Sequence, residues 1–216
     1  MRIVIIDYGV GNVKSIINAF ENQGVDVILS RDKEVISNAD GVVLPGVGAF
    51  SHGMNNLNKY NLVDVIKDYV KTGKPLLGIC LGMQMLLEES DEFGKTKGIG
   101  LIKGKVIKLP VKQSSIIKLP HISWNEIRPK KTEWENSILD SIDVGSDMYF
   151  VHTFVAKPDD ENDVLSTSEY FNIKFCSSIK KGNIYGCQFH PEKSSKTGLK
   201  IVRNFINISK LKICQN

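Results

Sequence analysis

The segment Pro75-Leu76-Leu77-Gly78-Ile79-Cys80-Leu81-Gly82-Met83-Gln84-Met85-Leu86-Leu87 decides the fold. Pro75 to Ile79 reads as a buried strand, and Met83 to Leu87 as the start of a helix. Between them, in Gly78-Ile79-Cys80-Leu81-Gly82, a residue of nucleophilic type sits at a strand-to-helix turn with the smallest residue on either side. Such a turn strains the backbone at its centre, and flanking glycines avoid the clashes around it. The central side chain is then pushed out over the carboxyl edge of a sheet. The helix beginning there brings backbone N–H groups and the positive end of its dipole toward the thiol, which favours the thiolate. A buried structural cysteine between two packing glycines would fit the same five residues, and the pattern alone leaves both readings open.

Upstream of the turn, short β-branched runs alternate with helical patterns. Ile3 to Ile6, Val25 to Leu29 and Gly41 to Leu44 read as strands, and Asn12 to Asn22 and Leu62 to Val70 as helices, the second ended by Gly73 and Pro75. This is the rhythm of crossover units on a parallel sheet. Beyond residue 100 the pattern changes to strands separated by turn residues: Lys103 to Leu109, Met148 to Val155, Phe175 to Ile179 and Ile184 to Phe189, the last two joined by a tight hairpin at Lys181-Gly182-Asn183. Thr197 to Ile208 closes the chain as an amphipathic helix. The expected fold is α/β: an open, mostly parallel sheet with flanking helices and an added antiparallel portion. It is expected to form a single domain over residues 1–210, with 211–216 as a polar tail.

Composition narrows the function. The opening apolar run is far shorter than a signal peptide's, and no stretch approaches the roughly 20 apolar residues that span a bilayer, so a cytoplasmic protein is expected. Cysteines 80, 176, 187 and 214 have neither paired spacing nor histidines at metal-ligand distances, which argues against a zinc site or a disulfide framework. No metal or cofactor is expected. Cys176 and Cys187 read as small core residues, Cys214 as part of the tail, and His52 and His121 as loop or structural residues. The net charge of +4 comes from basic residues scattered among acidic ones, which does not suggest a nucleic-acid stripe.

A thiolate nucleophile needs a base, and the base needs an orienting group. Among four histidines, His190 alone ends a predicted strand with an acid two residues on, in Phe189-His190-Pro191-Glu192. An extended backbone turns both side chains to one side, and Pro191 limits how far the pair can drift. The third need is a set of donors for the oxyanion. The N–H of Leu81 is one. A second is offered by Pro45-Gly46-Val47-Gly48 after a neighbouring strand, where the glycines let the Val47 N–H point inward.

Together, Gly78-Ile79-Cys80-Leu81-Gly82-Met83-Gln84, Pro45-Gly46-Val47-Gly48 and His190-Pro191-Glu192-Lys193-Ser194-Ser195 make the chain resemble a class I, triad-type glutamine amidotransferase over nearly its whole length. More narrowly it is similar to the glutaminase subunits of imidazole glycerol phosphate synthase. The segments that carry this are Asp7-Tyr8-Gly9-Val10-Gly11-Asn12, Pro120-His121-Ile122-Ser123-Trp124-Asn125 and Tyr149-Phe150-Val151-His152-Thr153-Phe154. The resemblance implies Cys80 as nucleophile, His190 as general base then acid, and Glu192 as its orienter. Val47, Gly48 and Leu81 would form the oxyanion hole. Gly46, Gln84, Glu92 on the acidic end of the same helix, and the His152-Thr153-Phe154 backbone would contact glutamine. It further implies a (β/α)₈-barrel cyclase partner that receives the ammonia, docked against Asn12, Trp124, Asn125, Tyr149 and Lys193. Such subunits are nearly idle without a liganded partner, and the expectation is that the Val47 N–H turns inward on docking.

One position departs from the family pattern: Ser123 stands where glycine is usual, within the docking segment. It raises an alternative, a paralogue that supplies ammonia to a sugar amidotransferase in surface-polysaccharide synthesis. A dinucleotide-binding module is a remote alternative, from Gly9-Val10-Gly11 after the first strand and Arg31 beyond the second, although the third glycine of that fingerprint is missing. An intact Cys80, His190 and Glu192 speaks against a catalytically silent regulatory subunit.

Overall fold

A computed structural model describes residues 1–9, 13–112, 117–130 and 134–213, with residues 212 and 213 described by their backbone only. In the first half, Arg2–Ile6 (β1), Val13–Glu21 (α1), Asp26–Ser30 (β2), Lys33–Ser37 (α2), Gly41–Leu44 (β3), Phe50–Lys59 (α3), Leu62–Lys71 (α4), Leu76–Ile79 (β4) and Leu81–Met85 (α5) follow one another. The second half is strand-rich: Leu87–Ser90 (β5), Thr96–Lys97 (β6), Ile102–Lys108 (β7), His121–Glu126 (β8), Arg128–Pro129 (β9), Asp147–His152 (β10), Phe154–Pro158 (β11), Val164–Tyr170 (β12), Ile173–Lys181 (β13) and Ile184–Cys187 (β14), then Ser195–Ile213 (α6).

An eight-stranded sheet runs in the order β2-β1-β3-β4-β14-β13-β12-β9. Its members from β2 to β14 are parallel, and β13, β12 and β9 extend it antiparallel. The α/β expectation, with its added antiparallel portion, is met. Because side chains alternate along a strand, the parallel strands feed two cores. Val4, Ile6, Val42 and Leu44 pack beneath α3 and α4 with Phe50, Met54 and Leu57. Ile3, Ile5 and Val43 pack on the other face with Phe20 of α1 and Val202 and Phe205 of α6. Burial on both faces explains why these strands read as unbroken apolar runs.

Two smaller sheets, β10-β8 and β11-β7-β5-β6, complete the structure. They account for two differences from the sequence reading, and a third lies at the C-terminal helix. The helix expected from Met83 to Leu87 begins at Leu81 and ends at Met85, because Leu87 is drawn into β5 opposite Ile102 of β7. The single strand expected from Met148 to Val155 is split at Thr153, since β10 pairs with β8 while β11 pairs with β7. The last helix continues to Ile213, into the segment read as a tail, and Cys214 lies outside the described residues. Helix α3 had no expectation attached, because its Asn-rich sequence is poor in helix formers. Its buried Phe50, Met54 and Leu57, spaced for one helical face, hold it against the sheet.

The tightest approach in the parallel half is between Gly82 of α5 and the end of β3. A Cβ at Gly82 would lie 1.9 Å from the Leu44 carbonyl oxygen. Gly82→Ala should therefore destabilise the fold by at least about 3 kcal/mol, the upper end of overpacking costs, because backbone must move. Gly24, in open space at φ +74°, should lose only about 1–2 kcal/mol on the same change, the cost of a left-handed residue. Urea midpoints of the two variants check this ordering.

Candidate active site

Three neighbouring parallel strands, β3, β4 and β14, deliver the site at their carboxyl ends, where open α/β sheets present ligands. At the end of β4, Cys80 has φ 54° and ψ −111°, a conformation that side chains rarely adopt, and its N–H donates to the Cys187 carbonyl at 2.7 Å. The flanking glycines are required by contact. A Cβ at Gly78 would sit 2.7 Å from the Met83 nitrogen, and one at Gly82 would strike Leu44. The turn thus has the elbow geometry expected from its sequence, with the thiol aimed into a cavity.

That cavity, of about 310 Å³, is lined by Val47, Gly48, Cys80, Leu81, Gln84, Glu92, Pro120, Val151, His152, Thr153, Phe154 and His190. The fold therefore brings together most of the predicted site. Gly46 lies just beneath: a Cβ there would meet Gly82 N, Leu81 Cβ and Tyr8 Oη, each at 2.8 Å. The buried Tyr8 hydroxyl donates to the Pro45 carbonyl at 2.6 Å, so the start of this loop is pinned to the elbow. Its far end is not, since Gly48 (φ +94°) has open space around it. A larger recess of about 600 Å³, lined in part by Val155, Phe175 and Cys176, offers no comparable pair of nucleophile and base. Burial pushes its Cys176 thiol up to about 12, which leaves it unreactive.

His190 follows β14 and is buried, with Nδ1 2.8 Å from Glu192 Oε1, both side chains only 3% exposed. Its backbone N–H donates to the Tyr149 carbonyl at 3.0 Å, which fixes the ring's origin. Among the described residues, Nε2 meets no partner at hydrogen-bond geometry, yet Cys80 is close enough to alter its titration. Burial alone would depress this imidazole. The Cys80 sulfur and the Glu192 carboxylate outweigh burial and raise its pKa to about 10. A buried Nε2 left unpaired beside a sulfur is a proton donor or acceptor awaiting a reacting group.

Opposite the histidine, Gln84 Nε2 donates to the Phe154 carbonyl and to Gln188 Oε1, each at 2.9 Å. Gln188 Nε2 faces Cys80 Sγ at 3.7 Å. Gln188 was not anticipated, although it shares the Gln188-Phe189-His190 run with the predicted base. Glu92 reaches the cavity from a different place than expected. It lies beyond β5, not on the helix after Cys80, because that helix ends early. Its Oε2 accepts from the Phe50 N–H at 2.6 Å, so it caps α3 while lining the pocket.

Of the predicted docking residues, Trp124 is 50% exposed and its ring centroid lies 5.8 Å from that of Tyr149, over which Lys193 Nζ stands at 6.0 Å. These three form one face. Asn125 turns inward instead, toward His121 and Glu169. Asn12 lies outside the described residues, as do Val10 and Gly11. Arg31 bonds Asp7 at 2.5 Å and stands 4.1 Å over the Tyr60 ring, which accounts for it without a nucleotide phosphate. Among the described residues no group of three or more His, Cys, Asp or Glu is placed to hold a metal ion, and no helix is long and apolar enough to cross a membrane.

The profile of the family described as "Glutamine amidotransferase class-I" matches residues 4–208. The chain belongs to the class-I glutamine amidotransferases. It is 48% identical over 206 residues to "Imidazole glycerol phosphate synthase subunit HisH" of Aquifex aeolicus, covering 95% of this chain and 96% of that one. It is 45% identical over 208 residues to "Imidazole glycerol phosphate synthase subunit HisH 1" of Legionella pneumophila, covering 94% and 98%. Two solved structures share the fold: PurLQS from Thermotoga maritima (TM-score 0.72, 17% identity, 95% of this chain and 97% of that one) and the acivicin-bound glutaminase domain of Trypanosoma brucei CTPS (TM-score 0.67, 13% identity, 98% and 94%). As a glutamine amidotransferase the chain acts on an amide, a substrate that a cysteine, a buried histidine and backbone donors suit.

Two measurements check the electrostatics of this amidotransferase site. A pKa raised from 6.5 to about 10 contributes stability that is complete below pH 6.5 and disappears as pH climbs through about 10. Stability should accordingly fall across that window, and fall less in Glu192→Gln, when denaturant midpoints are compared at pH 6.5 and 9.5. For Glu92, replacement by Ala should cost about 1 kcal/mol through the lost cap, whereas Glu92→Gln keeps an acceptor for Phe50 and isolates any effect on glutamine KM.

Proposed function

We propose that this chain hydrolyses glutamine through a γ-glutamyl thioester on Cys80 and delivers ammonia to a (β/α)₈-barrel cyclase that makes imidazole glycerol phosphate in histidine biosynthesis. The observation that carries the reading is the left-handed Cys80 at the end of β4, facing one cavity with Gln84 and the unpaired edge of a Glu192-bound His190. The relatives named as imidazole glycerol phosphate synthase subunits support the pathway and a multi-subunit enzyme. They favour it over the polysaccharide paralogue. The match over residues 4–208 supports reading 1–210 as one amidotransferase domain.

Each residue has a step. Cys80 Sγ attacks the side-chain amide carbon of glutamine, and the Val47 and Leu81 N–H groups receive the developing oxyanion. The C–N bond breaks as His190 Nε2 passes its proton to the departing nitrogen, releasing ammonia. Water then attacks the thioester while the same Nε2 takes the water's proton, and glutamate leaves with the sulfur restored. Glu192 holds the imidazole in the tautomer that presents Nε2. Gln84, Glu92 and the 152–154 backbone seat the substrate's α-amino and α-carboxylate groups. The Pro45–Gly48 loop, anchored at Gly46 and free at Gly48, suits a Val47 N–H that swings inward when the partner docks on Trp124, Tyr149 and Lys193.

The test is reconstitution with the barrel cyclase and its nucleotide. Cys80→Ala should lower glutamine hydrolysis by about 10⁴-fold or more while ammonia-dependent synthesis in the complex stays intact. Loss of both activities would assign Cys80 a structural role. His190→Ala should behave like Cys80→Ala, and Glu192→Gln should retain activity above that of His190→Ala. Stimulation of glutaminase by the histidine-pathway nucleotide is expected, and none by a sugar acceptor.

A further inference from the structure

In the parallel pairing of β14 with β4, Cys187 stands opposite Ile79, so the residues that follow, Gln188 and Cys80, emerge side by side. Gln188 is fully buried, and its backbone N–H donates to the Ser177 carbonyl at 2.9 Å. Its side chain runs to the nucleophile, with Nε2 3.7 Å from Cys80 Sγ. Two residues on, His190 comes close enough to the same sulfur to respond to its charge. One segment of chain therefore brings two side chains to the sulfur, and only His190 has a step assigned. Another polar neighbour is the Val151 carbonyl, 3.9 Å from Sγ. A carbonyl only accepts, so it can take a hydrogen bond from the thiol and offers nothing to a thiolate.

Which end of the Gln188 amide faces the sulfur follows from counting hydrogens. The Phe154 carbonyl accepts, so the Gln84 side-chain atom 2.9 Å from it is the nitrogen. That same nitrogen lies 2.9 Å from the Gln188 amide, where its second hydrogen needs an acceptor, which makes the Gln188 atom Oε1. Nε2 of Gln188 is then the atom at the sulfur. Turning Gln84 over would set oxygen against the Phe154 oxygen, and turning Gln188 over would set nitrogen against nitrogen. Either leaves unmet groups in a buried site. A single backbone carbonyl thus fixes both amides so that a donor is aimed at Cys80.

We propose that Gln188 is a catalytic residue for glutamine hydrolysis, its side-chain N–H donating to the Cys80 sulfur and stabilising the thiolate alongside His190. This rests on the reading of Cys80 as the nucleophile. A donor on the sulfur raises the thiolate population and lowers the reactivity of each thiolate. Because nucleophilicity falls with a Brønsted slope of only about 0.4–0.5, the gain in population outweighs the loss. The other titratable groups around the sulfur are His190 with Glu192 behind it, Tyr8 after β1, and Glu92 and His152 along the cavity wall. None of these is altered by a change at Gln188.

Alkylation of the free chain by iodoacetamide, read at the Cys80 peptide by mass spectrometry across a pH series, tests this in wild type and Gln188→Met. Methionine keeps the length of the side chain and has no N–H. The Gln188→Met profile should move to higher pH, a roughly tenfold to hundredfold loss of thiolate over thiol, while its alkaline plateau rises. Glutaminase kcat of the Gln188→Met complex with the cyclase should fall roughly threefold to tenfold, the net of those two effects. A profile left in place overturns the proposal, including the case in which only glutamine KM rises, since Gln188 would then merely hold Gln84. So does an unchanged or higher kcat. If the methionine variant does not fold, side-chain amide spectra of the full chain decide. One Nε2 proton of Gln188 should lie downfield in wild type and return toward the ordinary amide range in Cys80→Ala, and an amide indifferent to that change overturns the proposal. A wild-type complex that still hydrolyses glutamine after complete alkylation of Cys80 would instead overturn the Cys80 reading, whatever Gln188 does.

Discussion

The approach of Gly82 to the Leu44 carbonyl is the constraint on which the rest depends. It brings the first turn of α5 against the end of β3, leaves no room for a side chain, and forces the chain into a sharp reversal at Cys80. The residue at that reversal takes a left-handed backbone that a non-glycine residue holds only when its surroundings over-determine it. Here they do: the Cys80 N–H is tied to β14, and Gly78 packs on Met83. The sulfur is consequently held at a fixed point between the β3 loop and the β14 histidine.

Electrostatics then build on that geometry. His190 is enclosed with one carboxylate, and its proton is retained by the charges beside it despite a desolvation that works in the opposite direction. Glu92 adds a second economy of placement, closing the N-terminus of α3 and bordering the same cavity. Among the described residues, two buried atoms of the His190–Glu192 pair lack a partner: His190 Nε2, on a residue that lines the cavity, and Glu192 Oε2, on one that does not.

Much of this was legible in the sequence where local rules apply. The parallel strands announced themselves as apolar runs, the elbow as glycine spacing, and the His190–Glu192 pair as an acid two residues beyond the histidine. The chain there turns as a 3-10 helix over Pro191–Lys193, where an extended step was expected. What stayed hidden was set by non-local pairing. Nothing local in Met148 to Val155 says that its two ends join different sheets, and the early end of α5 comes from pairing of β5 with β7. Glu92 was assigned to the wrong element for that reason. Gln188 and the His121–His152 contact depend on side chains from separate strands meeting in the interior, for which no spacing gives a signal. Helix α3 was missed because packing overrides the poor helix propensity of its asparagines.

The two-stranded β8-β10 ribbon sits apart from the large sheet. Along β8, alternate residues answer to different masters: the outward set presents Ile122 and Trp124 to whatever binds, and the inward set belongs to the hydrogen-bonded interior. An exposed apolar surface and a buried polar cluster are thereby written in interleaved letters of one short strand. Substitutions confined to the outward letters change the exposed surface without touching the hydrogen bonds of the interior. A change to an inward letter, such as the serine at position 123, instead alters the hydrogen bonds around His121 and Asn125 while leaving the outward side chains as they were.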